Sequence, residues 1–362
     1  MPMIRTRSAT DRSNLFKEYK NLSYMFSEVH FRDALAEACP HITLFPVPTP
    51  ASENAGLDLI PGVTAKAQRE GLDPSRMIHR ITPKNFGGSR GGCDIRDPHR
   101  YPSQFGTSFR TWMREREKDL NLQPPGWDNP MLVRLSWGVL WDWPVFYDGP
   151  EFATTFGGLL RIRDDILQLS DKIVQAMRKH ATASKTSDNT QEASMERPEN
   201  AFLGIHLRTE EDALSQWPTY ENQSKAYFQE AEKQGFRGRA VYLASGSKEE
   251  RLKFAEDARA QSHLDVKSKH DLIKGRDLEE LRAMSWDQQA LVDFAVLLQA
   301  DYFVGVSPSS FSINIALKRH IQQDGVYSRP FKVSSSDGRS WLAGRYDKYW
   351  DDWLFMFDGM WP

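Results

Sequence analysis

DYFVGVSPSSFSINIALKRH, residues 301–320, decides the fold. DYFVGV is a short apolar run with no polar alternation, which suits a strand buried on both faces. A serine-rich turn follows, and SSFSINIALKRH opens a helix at once. Strand passing directly into helix is half of a parallel βαβ unit. Working outward, the pattern repeats. SWDQQALVDFAVLLQA before it reads as a helix, AVYLA (240–244) as a strand, and KEERLKFAEDARAQ as a helix. AFLGIHL is a strand, and YENQSKAYFQEAEKQGF is a helix. This half of the chain is therefore expected to be doubly wound α/β with a parallel sheet covered on both faces.

Such a sheet binds ligands outside the carboxyl ends of its strands. Three segments end there: His206-Leu207-Arg208, Ala244-Ser245-Gly246-Ser247, and Gly305 to Ser310. The last opens a helix, whose N-terminus offers unpaired N–H groups and a partial charge of about +0.5. Ser309, Ser310 and Ser312 add hydroxyls, and Gly305 lets a backbone come close, so the junction suits a phosphate or diphosphate. N-capping by Ser309 or Ser310 explains the same serines without a ligand.

Arg208 holds a permanent planar charge that fits two phosphate oxygens at once. A salt bridge to Glu210, Glu211 or Asp212 is the competing reading. His206 alternates with Arg208 along the strand, which places both on one face. Its ring fits either a ligand contact or a structural hydrogen bond. Asp287 is a candidate helix cap. Asp301 opens a strand at the edge away from the ligand and reads as structural, while Asp293 has no assigned role.

The first half carries weaker signals. NLSYMFSEVHFRDALAEACP predicts an entry loop and a helix with Phe31, Leu35 and Ala38 on one face, stopped by Pro40. PMLVRLSW (130–137) reads as a buried strand. RIRDDILQLSDKIVQAMRKHA reads as an amphipathic helix, with Ile162, Ile166, Leu169, Ile173 and Met177 at helical spacing. Residues 46–62 and 83–106 are Pro- and Gly-rich and read as long loops. GGSRGG (87–92) follows PKNF rather than a strand, so it lacks the context of a dinucleotide-binding turn. The polar stretch ATASKTSDNTQEASMERPEN (181–200) is expected to connect the halves.

At 362 residues, two domains are expected. With 40% hydrophobic and 12% aromatic residues the chain can build packed cores, so it is globular rather than disordered. A net charge of −2 gives no whole-chain bias towards nucleic acid or an anionic membrane. No apolar run reaches the roughly 18 residues of a spanning helix. The start, MPMIRTRSATDRSNLF, lacks the apolar core of a signal peptide. That fits either a cytosolic protein or a chain that begins downstream of its targeting segment. Cys39 and Cys93 are too few for a Cys-based zinc site and fit either one disulfide or two buried thiols. Asn21-Leu-Ser and Asn222-Gln-Ser fit the glycosylation pattern, which leans towards a secretory protein. No D-x-D triplet occurs, so a bound diphosphate would be met by Arg208 and helix N–H groups. The eleven tryptophans concentrate in WGVLWDWPVFYD and YDKYWDDWLFMFDGMWP, whose faces suit sugar rings as well as core packing.

FLGIHLRTEEDA, VYLASGSKEERLKFAEDA and DQQALVDFAVLLQADYFVGVSPSSFSINIALKRH together resemble the GDP-fucose protein O-fucosyltransferase family, in its fungal and plant-like branch. NLSYMF…HFRDALAEACP and FDGMWP also look like that branch. The specific part is HLR followed about 100 residues later by AD-x-F-V-G…SSFS. The resemblance implies two Rossmann-like domains of the GT-B glycosyltransferase type and a GDP-fucose donor. It further implies inversion at the anomeric carbon, no required metal or other cofactor, and secretory-pathway localisation. Under it, residues 1–180 form the acceptor-side domain, 181–200 a linker and 201–362 the donor domain. Arg208 is expected on the diphosphate and the departing oxygen, His206 near the guanosine or ribose, and Ser309, Ser310, Phe311 and Ser312 at the phosphates. The acceptor would be a protein Ser/Thr or a glycan, with Glu210, Glu211 and Asp212 as candidate bases. The family usually opens with a strand and a Gly-rich turn ending in Asn or Gln. No such turn is legible in MPMIRTRSATDR, so the N-terminal domain is expected to lack its first strand. A binding protein that keeps the nucleotide pocket without catalysis is the alternative this departure raises.

Overall fold

The structure, a computed structural model, describes residues 3–6, 18–38, 40, 78–81, 114–115, 132–135, 158–184, 198–209, 218–307, 309–324 and 338–344. The chain divides into two compact units: Met1–Thr6, Phe16–Arg161 and Leu354–Pro362 form one, and Arg7–Leu15 with Ile162–Trp353 form the other.

In the first unit β1 (Met3–Thr6) pairs antiparallel with β2 (Glu18–Asn21). A strand therefore does form at the start of the chain, where none is legible in the sequence. After a turn of 3-10 helix comes α1 (Glu28–Ala38), as its apolar spacing predicts. Its Phe31 packs with Leu22 and Leu159, and Phe26, Ala34 and Leu35 border the cluster. Ser27 N donates to Arg161 O at 2.8 Å, joining the start of the helix to a residue far along the chain. β3 (Ile78–Ile81) pairs in parallel with β4 (Leu132–Leu135), the strand expected within PMLVRLSW. The two Pro/Gly-rich stretches, GGSRGG, both tryptophan-rich segments and the two cysteines lie outside the described residues.

The second unit opens with α2 (Asp164–Ser184), which buries Ile166, Leu169, Ile173 and Met177 on one stripe. Ile162 lies before the helix rather than on it. Ala181 to Ser184, expected in the polar connection, form its last turn. The chain then alternates strand and helix, with three helices in succession between the third and fourth strands of this unit. β5 (Leu203–His206), α3 (Tyr220–Lys233), β6 (Ala240–Ala244), α4 (Lys248–Ser262) and β7 (Asp265–Lys267) come first. They are followed by α5 (Lys269–Leu272), α6 (Gly275–Ala283), α7 (Trp286–Leu298), β8 (Tyr302–Val306), α8 (Ser310–Asp324) and β9 (Ser340–Ala343). The five strands make one all-parallel sheet in the order β7-β6-β5-β8-β9. Strand order runs one way from β5 through β6 to β7, and the other way from β8 to β9. The direction reverses between β5 and β8.

Side chains alternate across this sheet. Leu203, Ile205, Leu207, Val241, Leu243, Tyr302, Val304 and Val306 form one core with Tyr227 and Phe228 of α3 and Phe254 and Ala258 of α4. Each large side chain so buried contributes about 1.5–3 kcal/mol. The opposite face meets α7 and α8. A Cβ on Gly204 would lie 2.8 Å from both Ala300 Cβ and Leu297 Cδ2, so only glycine lets that corner approach. Buried Arg319 of α8 locks this side. Its Nη1 donates to the carbonyls of Leu297, Leu298 and Ala300, and its Nε to Ser340 Oγ. A guanidinium at the α7 C-terminus meets the negative end of that helix.

Two aspartates are resolved as structural. Asp301 accepts from Phe202 N at 2.9 Å and Arg178 Nη1 at 3.2 Å at the amino edge of the sheet, as expected. Asp293 is buried, accepts from the Tyr242 hydroxyl at 2.6 Å and pairs with Lys269 Nζ. Asp287 is not the cap of α7. Ser285 is, in a capping box with Gln288 that satisfies two backbone N–H groups.

Candidate functional site at the strand crossover

The point of reversal places the ends of β5 and β8 side by side, with α8 starting just beyond β8. Ile205 aligns with Val304, which puts Arg208 and Ser307 at matching positions past the paired strands. A parallel doubly wound sheet leaves its crevice at this point, because the flanking connections depart to opposite faces.

Ser309 is buried, and its carbonyl accepts the first helical bond, from Ile313 N at 2.9 Å. Ser310 is exposed at the first position of the helix. The first-turn N–H groups of α8 have no partner within their own helix. Backbone donors and a positive helix end therefore converge beside the end of β8.

His206 and Ser312 turn out to hold each other. His206 Nδ1 lies 2.7 Å from Ser312 Oγ, and that hydroxyl also accepts from Val306 N at 3.1 Å. The His206 ring packs on Phe311 at 4.6 Å between centroids, and Phe311 meets Phe294 edge-on at 5.6 Å. Ser312 is fully buried and His206 is 7% exposed. The structural hydrogen bond of His206 runs through Nδ1. It pins the first turn of α8 to the end of β5. Gly305 has a different role from the one expected. A Cβ there would fall 2.6 Å from Ser312 Oγ and 2.7 Å from Ser312 Cβ, so the glycine makes room for the helix.

Arg208 is half-buried, and its backbone is held from α3. Arg208 N donates to Gln223 Oε1 at 3.0 Å, and Gln223 Nε2 donates to Arg208 O at 2.8 Å. Tyr227 OH donates to His206 O at 2.9 Å. Burial pushes that hydroxyl well above its usual pKa, so it stays protonated and donates. Gln223 was not anticipated. Its signal is a glutamine inside the buried stripe Tyr220, Ser224, Tyr227, Phe228, Ala231, where an amide needs a specific partner. Among the described residues, Thr209 Oγ1 and Ser307 Oγ are buried hydroxyls without a hydrogen-bond partner, and both follow the ends of β5 and β8. Native structures rarely leave such groups unsatisfied. Glu210, Glu211 and Asp212 lie outside the described residues.

No group of three or more His, Cys, Asp or Glu side chains suited to a metal occurs among the described residues. No helix among them is long and apolar enough to cross a membrane.

The profile of the family described as GDP-fucose protein O-fucosyltransferase matches residues 1–322. Several solved structures are similar to the chain. POFUT1 in complex with GDP is 15% identical, with a TM-score of 0.34, over 68% of this chain and 62% of that one. The chain thus spans less than two thirds of that relative. POFUT1 in complex with GDP-fucose is 12% identical, with a TM-score of 0.41, over 91% of this chain and 86% of that one. A mutant of Arabidopsis thaliana FUT1 in complex with GDP is 12% identical, with a TM-score of 0.37, over 91% of this chain and 63% of that one. No curated protein sequence matches the chain.

Proposed function

The chain belongs to the GDP-fucose protein O-fucosyltransferase family, and from that membership we propose that it transfers fucose from GDP-fucose to a hydroxyl acceptor, with the donor diphosphate seated where β5 meets β8. The observation that carries the placement is the reversal of strand order at that point, with Arg208 on one side and the N-terminus of α8 on the other. An arginine and a positive helix end brought to one crevice favour an anion between them.

In this reading Arg208 grips the diphosphate and stabilises the charge that grows on GDP as the glycosidic bond breaks. Such stabilisation is often the largest catalytic term. N–H groups at Ser310 and Phe311 and the Ser309 hydroxyl take further phosphate oxygens. Thr209 and Ser307, each with an unsatisfied buried hydroxyl, join them. His206, Phe311 and Ser312 hold the helix end in register. The overall plan is the GT-B arrangement, with residues 201–362 as the donor domain and 1–180 as the acceptor side. Transfer inverts the anomeric carbon without a metal, and a protein Ser/Thr or a glycan hydroxyl accepts the fucose.

The test is calorimetric titration of the full chain with GDP and GDP-fucose in metal-free buffer, beside Arg208→Ala. We expect the wild type to bind both and the variant to lose on the order of 10²-fold in turnover, with a clear drop in affinity. A folded wild type that binds neither nucleotide overturns the reading. Peptide and oligosaccharide acceptors offered in parallel then separate the two acceptor classes.

A further inference from the structure

Among the described residues, the ladder pairing of β5 with β6 ends at His206. Leu207 N still donates to Ala244 O at 2.9 Å, but sheet pairing goes no further along this stretch. The Gln223 side chain takes over at the next residue. A primary amide presents a donor and an acceptor side by side, matching the C=O and N–H of a single extended residue, and here both engage Arg208. The second Nε2 hydrogen goes to Pro218 O at 2.7 Å, and Oε1 lies 3.3 Å from Tyr227 OH, whose one hydrogen goes to His206 O. Both amide hydrogens and one lone pair of Oε1 are thus used, three of the amide's four hydrogen-bonding capacities. Arg208 N can only donate, and the two carbonyls can only accept, so the amide has a single workable orientation. The residue is fully buried. A leucine would fill the same stripe without demanding partners.

Resting on the reading that Arg208 meets the donor diphosphate, we propose that Gln223 is the positioning residue for Arg208. It fixes the root of the arginine and, through Pro218, the point to which the chain returns nine residues after Thr209. The guanidinium then reaches for the anion from a preset backbone, which lowers the ordering required on binding.

The proposal is tested by a double-mutant cycle on the full chain, with GDP affinity as the readout. Gln223→Met keeps the shape and removes every hydrogen bond of the amide. We expect it to weaken GDP binding about 10-fold in the wild-type background, as loss of paired hydrogen bonds implies. In the Arg208→Ala background the same change should shift affinity by less than about 2-fold, because coupled residues are not additive. Equal penalties in both backgrounds overturn the proposal and leave the donor-site reading standing. Full GDP affinity in Arg208→Ala overturns both. Amide hydrogen exchange on the wild type supplies a measurement that needs no variant. The Arg208 N–H is expected to be protected well beyond an exposed amide, and exchange at the exposed rate overturns the proposal even if Gln223→Met fails to fold.

Discussion

Ser312 shows how much one hydroxyl can carry. It links Val306 N, the His206 ring and the first turn of α8, and it stands where Gly305 has left space. Ser312→Ala strips a partner from two buried groups, and a stability loss of about 1–3 kcal/mol is expected in urea unfolding. Gly305→Ala pushes a methyl against the same side chain. An overpacking loss of about 1–3 kcal/mol should appear in the same assay, with GDP affinity falling as the helix end shifts. The residue types at this site were legible in the sequence, since His206 and Arg208 end an apolar strand and the serines stand where a strand turns into a helix. Their division of labour was not. Whether a histidine or a serine meets a ligand or a neighbour depends on which atoms lie within about 3 Å, and strand alternation does not reveal that.

Among the elements, α7 and α8 set the geometry of the crevice, and Arg319 ties them together. Arg319→Met leaves the carbonyls at the end of α7 without their cationic donor. A loss of about 3 kcal/mol is expected, read as a lower midpoint in chemical denaturation. Ser285→Ala removes the N-cap of α7 and should lower stability by about 1 kcal/mol in the same measurement. Both helices were legible from periodicity, as were β5, β6 and β8 from their apolar runs. β7, with the sequence DVK, and β9, with SWLA, were missed because three or four residues carry no period to detect. The polar stretch from residue 181 misled at its start. Ala181 is buried, because the last turn of α2 is held by packing rather than by its weak composition.

At the scale of the molecule, stability should depend on pH through His270. Burial, with Lys269 and Arg251 beside it, holds this ring below its usual value of 6.5, although Asp293 and Asp271 pull the other way. The folded state therefore resists a proton that the unfolded chain accepts. The sign follows from that imbalance. Stability is full above about pH 6.5 and is lost as pH falls through the folded value. Replacing His270 with glutamine should flatten the decline below pH 6.5, measured as unfolding free energy against pH. A wild-type-like slope in that variant would assign the decline elsewhere. The fold class of the second unit was settled by sequence alone, because strand and helix periods are local properties written into consecutive side chains. Strand order, and with it the crevice between β5 and β8, was decided only by the tertiary structure. So was the grip of Gln223 on Arg208. Both depend on groups brought together from separate parts of the chain, and no local pattern records which of them will meet.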